Sequence, residues 1–182
     1  TSLLPQDTLD FKNKYVNIYL QPMQRGIGWI EGDHMSTTVS TAFGELRGAQ
    51  HDGVTAFLGV PYAAPLTATD RLRPARPVQP WTGVRDASQY GPTVTQNDYM
   101  PPYSELFVEP KIDGAEQLNL NIWTADCDGQ APVLVWIHGG AFTHGAGSLP
   151  QYNGTSFARN GVVCVTVNYR LGIEGFLDVG DD

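Results

Sequence analysis

A histidine and two glycines follow directly after an apolar run, in the stretch Pro132-Val-Leu-Val-Trp-Ile-His-Gly-Gly-Ala-Phe142. A tight loop at this point exposes backbone N–H groups at the end of a strand, where α/β proteins bind their ligands. The N–H groups of Gly139, Gly140 and Ala141 could therefore meet a substrate oxygen, and such donors stabilise negative charge that develops on oxygen. The stretch thus predicts a loop that faces a substrate.

Three further runs must position this loop. Residues 132–137 predict a fully buried strand, and residues 162–169 form a second buried run. Between them, residues 155–160 predict a short helix that Gly161 ends. Strand, helix and strand in this order predict a parallel pair with a right-handed crossover. Residues 118–123 alternate apolar residues with Asn and predict another strand with one polar face.

The first half of the chain predicts shorter strands and turns. Residues 37–63 contain β-type segments broken by glycines, and Asp52-Gly53 is the best hairpin turn among them. Residues 57–62 predict a strand that its proline ends at an edge. Residues 65–110 are rich in proline, which prevents a long helix, so they predict a covering segment wrapped around a sheet.

Several short motifs accompany the loop. They are His138-Gly139-Gly140-Ala141-Phe142, Phe57-Leu58-Gly59-Val60-Pro61-Tyr62-Ala63, Pro80-Trp81-Thr82-Gly83-Val84-Arg85-Asp86-Ala87, Tyr90-Gly91-Pro92, Asn168-Tyr169-Arg170-Leu171-Gly172 and Gly175-Phe176-Leu177. Together they resemble the type-B carboxylesterase family, which includes the bacterial para-nitrobenzyl esterases and the cholinesterases, over roughly residues 37–177. The resemblance implies the N-terminal part of the α/β-hydrolase fold, an α/β fold in which a small antiparallel sheet precedes a large, mixed, mainly parallel sheet. Residues 132–137 and 162–169 would be among the central strands.

The same resemblance implies carboxylic-ester hydrolysis through a serine acyl-enzyme, without a cofactor or a metal. The N–H groups of Gly140 and Ala141 would form the oxyanion hole, with Gly139 in the same loop and a third donor from the residue after the nucleophilic serine. Phe142 either lines the acyl pocket or packs in the core. A plain strand-to-helix turn is the alternative interpretation of the glycines, and the flanking motifs favour the oxyanion hole.

The nucleophile that the family implies is absent from these residues. None of the seven serines has glycine two residues before and two residues after it, and Ser148 comes nearest, with Ala146 and Pro150 at those positions. We therefore expect the serine, acid and histidine beyond Asp182 or in a companion chain, with residues 35–182 as the N-terminal third of the hydrolase domain. Alone, this third would leave strands unpaired, and we expect no turnover from it. The alternative is a non-catalytic, cholinesterase-like binding module or an inactive esterase fragment.

Residues 1–34 do not match the family motifs. They include one aromatic and aliphatic stretch, residues 15–20, that predicts a short strand. We interpret residues 1–34 as an N-terminal extension of unknown role, either natural or added for expression.

Charge and composition argue against other classes of function. A net charge of -8 and a pI near 4.8 leave no cationic face for nucleic acid or an anionic membrane. His138 and His144 flank the loop without a third ligand at suitable spacing, so no metal site is expected. Phosphate-binding glycine motifs are absent, which argues against a nucleotide site. The expected partners are a small-molecule ester substrate and the remainder of the esterase.

Cysteine usage and hydropathy bear on the location of the protein. Cys127 lies in a polar loop and Cys164 in an apolar run, which does not suggest a disulfide pair. Gln117 stands where secreted members of the family usually carry a cysteine. No apolar stretch approaches the roughly 20 residues of a membrane span. These features favour the cytoplasm, and a secretory signal removed before Thr1 is also compatible with them.

Overall fold

The computed structural model describes residues 26–29, 35–106, 109–178 and 180, and eight strands and three short α-helices lie in these ranges. The strands are β1 (Gly26–Trp29), β2 (Met35–Thr41), β3 (Gly44–His51), β4 (Val54–Pro61), β5 (Val84–Asp86), β6 (Asn119–Thr124), β7 (Val133–Ile137) and β8 (Val163–Val167). The helices are α1 (Tyr103–Leu106), α2 (Thr155–Arg159) and α3 (Gly172–Phe176). The strand predicted at residues 15–20 lies outside the described residues.

The eight described strands form one continuous sheet in the order β1-β2-β3-β4-β6-β8-β7, with β5 beside β3. Neighbours from β1 to β8 in this order are antiparallel. β7 is parallel to β8, and β5 is parallel to β3. The pairing of β4 with β6 joins the antiparallel N-terminal strands to the mixed part of the sheet. The unit β7–α2–β8 is the parallel pair, with a helix between its strands, that the sequence predicts.

The hairpin between β3 and β4 turns where the sequence predicts. Asp52 and Gly53 have φ angles of 49° and 75°, the pair of positive values that a tight hairpin turn needs. β4 ends at Pro61, as the sequence predicts, since proline cannot donate to a ladder. The predicted position at an edge is wrong, because β4 lies between β3 and β6.

Apolar side chains cover both faces of the sheet. One face carries the larger cluster, formed by Val39, Leu46, Phe57, Val60, Ala87, Ile122, Val163 and Val165. On the opposite face Ala158 of α2 packs against Trp123 and Cys164. Gly154, which precedes α2, permits this close approach, because a Cβ there would lie 2.6 Å from the Cβ of Cys164.

β7 differs from the buried central strand that the sequence predicts. The prediction of a strand is correct, but Val135, Trp136 and Ile137 are 52%, 44% and 69% exposed. Among the described strands β7 pairs with β8 alone, so it lies at the edge of the sheet. Apolar residues of a parallel strand are normally covered on both faces, and here that cover is missing from the described part of the chain.

Candidate active site

The loop after β7, residues 139–149, is the glycine-rich loop. Its first part closes into a tight turn, because the Gly140 carbonyl oxygen accepts the N–H groups of Thr143 and His144, each at 3.0 Å. Between these residues Ala141 and Phe142 have φ angles of 53° and 64°. Two consecutive non-glycine residues in the left-handed region are strained, and such strain is concentrated at functional sites.

Two glycines of the loop occupy positions that no other residue fits. Gly140 has a φ of +129°, and a Cβ there would lie 2.0 Å from the carbonyl oxygen of His144. Gly145 has a φ of +108°, and its Cβ would lie 2.3 Å from Nδ1 of His138. A Cβ on Gly139 would meet nothing within 4 Å. Gly140 of the sequence motif and Gly145 beyond it are therefore sterically required, whereas Gly139 of the motif faces open space.

The first part of the loop, residues 139–142, is the open end. Gly139, Ala141 and Phe142 are exposed and Gly140 is half-buried. Within the described ranges, no backbone or side-chain oxygen accepts a hydrogen bond from the N–H groups of Gly140 and Ala141. The sequence-predicted donors thus lie in an exposed, sterically constrained turn with their N–H groups unpaired by the described part of the chain.

The last part, residues 145–149, is the buried end, and a network of polar side chains holds it. The N–H group of Gly147 donates to Oδ1 of Asn168 at 2.8 Å. Its carbonyl oxygen accepts from Thr166 Oγ1 at 2.8 Å and from Asn121 Nδ2 at 3.3 Å. Asn168 Nδ2 also donates to Oδ1 of Asn119 at 3.1 Å. Side chains of β6 and of the β8 end therefore fix the loop backbone by satisfying its buried polar groups.

His138 forms the junction between β7 and the open end. Its side chain is 3% exposed, its ring stacks on Tyr169 with centroids 4.4 Å apart, and Nδ1 lies 2.9 Å from the Gly139 carbonyl oxygen. The Tyr169 hydroxyl donates to the His138 carbonyl oxygen at 2.7 Å. Burial lowers the pKa of His138, although the Gly139 carbonyl and the nearby Glu109 carboxylate act in the opposite direction. Burial therefore favours the neutral form of this imidazole, which packs on Tyr169.

An exposed apolar surface adjoins the open end. Phe142 and Phe176 pack with ring centroids 4.7 Å apart, and they are 62% and 53% exposed. The N–H group of Gly172 donates to the Phe142 carbonyl oxygen at 2.7 Å, which ties α3 to the loop. Phe142 thus packs against a neighbour and still faces outward. Phe176 was not predicted as a site residue, although it lies in the Gly175-Phe176-Leu177 motif.

Ser148, which comes nearest to a nucleophile motif, lies in the buried end. It is 5% exposed, and its Oγ has no hydrogen-bond partner among the described residues. A serine buried in this way has no open face for an incoming ester, so the structure offers no nucleophile at this position.

In the same described ranges, no three His, Cys, Asp or Glu side chains converge to hold a metal ion. No helix in this part of the chain combines the length and the apolar character that a membrane span needs.

Several known proteins are similar to this chain in sequence and in structure. The model of the Carboxylesterase family matches residues 35–182. Phenmedipham hydrolase of Pseudarthrobacter oxydans is 47% identical over 147 residues, which are 78% of this chain and 30% of that protein. Para-nitrobenzyl esterase of Bacillus subtilis (strain 168) is 39% identical over 141 residues, 76% of this chain and 28% of that protein.

Solved structures of esterases are similar to the fold of this chain. The carboxylesterase EST55 of Geobacillus stearothermophilus has a TM-score of 0.67 at 44% identity, covering 79% of this chain and 28% of that one. A PNB esterase structure has a TM-score of 0.70 at 38% identity, covering 78% and 29%. This chain therefore spans less than a third of the length of these relatives. On sequence and structure alike, the chain belongs to the carboxylesterase family.

Proposed function

We propose that this chain supplies the oxyanion-stabilising loop of a carboxylic-ester hydrolase that works through a serine acyl-enzyme. Gly140 and Ala141 are the donors, and Gly139 completes the loop. The observation that carries the proposal is the pair of unpaired N–H groups in a turn that is closed on the Gly140 carbonyl. Membership of the carboxylesterase family supports the same reaction class.

The chemistry follows from where charge develops. A serine hydroxyl loses its proton to a base and attacks the ester carbonyl, so that the carbonyl oxygen becomes an oxyanion. Donors that are already oriented stabilise this oxyanion more than the ground-state carbonyl, and each is worth about 10²–10³ in turnover. The left-handed backbone at Ala141 and Phe142 fits such a role, because the turn holds its shape before substrate arrives.

The substrate that we propose is a small-molecule ester with an apolar group. Phe142 and Phe176 present exposed aromatic surface beside the donors. Binding sites for small molecules combine apolar walls with a few fixed polar groups, which matches this arrangement. No cofactor or metal takes part in the proposed reaction.

The partner that we propose is the remainder of the esterase, in the same or a separate chain. It would contribute the serine, the acid and the histidine, so that residues 35–182 are the N-terminal third of the domain. Val135, Trp136 and Ile137 support this proposal, since an exposed apolar edge strand is a template for another strand. The chain alone would then turn over no ester.

We place the protein in the cytoplasm. Cys164 lies inside β8 and Cys127 in a loop after β6, so the two are not placed as a disulfide pair, and disulfides are rare in a reducing compartment.

The first test asks where the nucleophile is. The protein as purified is treated with an active-serine phosphonate probe, denatured, and weighed as intact polypeptides. A labelled mass larger than this chain, or a labelled second polypeptide, supports the proposal. A larger species, or a second polypeptide, that stays unlabelled contradicts catalysis and supports the binding module instead. A single unlabelled species of 19.8 kDa is the inactive fragment that the proposal expects of this chain alone.

The second test removes one donor. Proline at position 141 is unsuitable, because it fixes φ near −65° whereas Ala141 has a φ of 53°. Replacing Ala141 by L-lactic acid changes only the N–H into an oxygen. In the complete esterase we expect turnover to fall about 100-fold at unchanged KM.

Two controls accompany this replacement. The ester also weakens the Gly140 carbonyl as an acceptor, so urea unfolding of the variant is measured in parallel. L-lactic acid in place of Ala131, in the turn before β7, makes the same chemical change away from the loop. Equal turnover of the two lactic-acid variants would refute the role of the Ala141 N–H.

A further inference from the structure

The covering segment that precedes β6 contacts the buried end of the glycine-rich loop through three side chains. The N–H group of Gly145 donates to Gln96 Oε1 at 2.7 Å and to Glu109 Oε2 at 2.9 Å. The Tyr99 hydroxyl donates to the other oxygen of Glu109 at 3.1 Å. The Tyr99 ring stacks on His144, with centroids 4.0 Å apart and an interplanar angle of 13°. Two successive loop residues are thus held by one segment distant in sequence.

The position of Gly145 decides how the open end is aimed. The turn that contains Ala141 is closed by the His144 N–H on the Gly140 carbonyl, and Gly145 is the next residue. At its other side the turn begins at His138, which is packed on Tyr169. A turn fixed at both sides has little freedom to rotate its N–H groups, whereas a turn released at one side can reorient them.

The Glu109 carboxylate is the stronger of the two acceptors at Gly145. A hydrogen bond to an ionised carboxylate is roughly twice as strong as one to a neutral amide oxygen. The half-buried position of Glu109 and the Tyr99 hydroxyl orient this carboxylate. Glu109 belongs to the covering segment and contacts the loop at the Gly145 N–H group. It therefore acts through the backbone of Gly145.

We infer that Glu109 is a positioning residue that holds the glycine-rich loop in the conformation that presents the Gly140 and Ala141 N–H groups to an ester oxygen. Gln96 is the second acceptor of the Gly145 N–H group, and the Tyr99 hydroxyl orients the Glu109 carboxylate. The inference rests on the proposed function and adds a residue that neither the motifs nor the family resemblance indicated.

The test in the complete esterase compares Glu109→Gln with Glu109→Ala. The glutamine keeps one carboxamide oxygen, which can accept from Gly145 or from Tyr99 but not from both in the present geometry. We expect kcat to fall about tenfold in Glu109→Ala and about threefold in Glu109→Gln, with KM unchanged, since only transition-state stabilisation is lost. Asp113→Asn is the matched control, because Asp113 is an exposed carboxylate between the covering segment and β6, and its kcat should not change.

A second readout needs no turnover. Amide hydrogen exchange of the same variants should become faster at residues 143–145 in Glu109→Ala and stay unchanged elsewhere in the sheet. Faster exchange throughout the sheet would show a merely structural role and overturn the inference. So would exchange and kcat equal to those of Asp113→Asn.

The same experiment separates failure of the inference from failure of the proposed function. If the wild-type esterase hydrolyses esters and Glu109→Ala is unimpaired, the positioning role alone is refuted. If the wild type neither turns over esters nor takes the phosphonate label, the proposed function falls, and the positioning role falls with it.

Discussion

Residues 139–142 and residues 145–149 belong to one loop, yet the first are mostly exposed whereas the second are all buried. The buried end is held by side chains of Asn121, Thr166 and Asn168, and the open end contains strained backbone with unpaired N–H groups. The difference teaches how a loop can be both open and rigid. Its strain is tolerated because hydrogen bonds at the other end fix the conformation.

The largest difference in unfolding free energy is expected when one methyl group is added to a glycine of the buried end and, in a second variant, to a glycine of the open end. In Gly145→Ala the new Cβ would lie 2.3 Å from Nδ1 of His138 at a φ of +108°, whereas in Gly139→Ala it would meet nothing within 4 Å. We expect the first variant to lose about 3 kcal/mol or more of unfolding free energy and the second less than about 0.5 kcal/mol. Urea unfolding of both chains measures this, and similar losses would erase the distinction between the two ends.

A smaller difference is expected from polar side chains. Asn168→Ala removes the acceptor of the Gly147 N–H and a donor to Asn119, leaving buried groups unpaired. We expect a loss of about 2–3 kcal/mol. Thr143→Ala at the exposed turn removes two hydrogen bonds of an exposed Oγ1, to the Gly140 carbonyl oxygen at 3.2 Å and with Nδ1 of His144 at 2.8 Å, and we expect at most about 1 kcal/mol. Thermal and urea unfolding should agree on this order, and the reverse order would contradict it.

The smallest effect concerns pH at the junction of the two ends. Burial lowers the pKa of His138 below the value of about 6.5 that it has in the unfolded chain. The unfolded chain then binds more protons below that pH, so stability is complete above it and falls as the pH falls towards the folded-state pKa. The slope is at most about 1.4 kcal/mol per pH unit.

Urea unfolding between about pH 7.5 and about pH 5.5 brackets the unfolded-state pKa and measures this slope. His138→Asn should lose the acid-dependent part of the stability. His51→Asn, at a residue whose side chain is 79% exposed, should keep it. A wild-type slope retained in His138→Asn would assign the titration to another group.

The sequence predicted the elements that carry the loop because their signals are local. The apolar run of β7, the turn at Asp52-Gly53 and the glycine after α2 each follow from neighbouring residues. The contacts of Gln96 and Glu109 with Gly145 were not predictable, since the segment from 92 to 111 has no regular pattern that fixes which side chain faces the loop. Such contacts depend on the whole chain path.

The prediction that β7 is fully buried was wrong for a related reason. An apolar run predicts that a strand will be covered, but not which part of the protein covers it. Val135 and Ile137 are exposed because the described residues supply a neighbour on one edge only. The composition of a strand thus indicates that it will be covered, whereas its neighbours in the fold decide what covers it.

The hydrogen bonds on Gly147 bear on how this loop could be transplanted. Its partners Asn121, Thr166 and Asn168 lie outside the loop, on β6 and at β8. A graft of residues 138–149 alone into another α/β scaffold would arrive without these partners, and its buried backbone would be unpaired. Recombination among homologous esterases should therefore preserve the loop only when the crossover points carry both strands along with it.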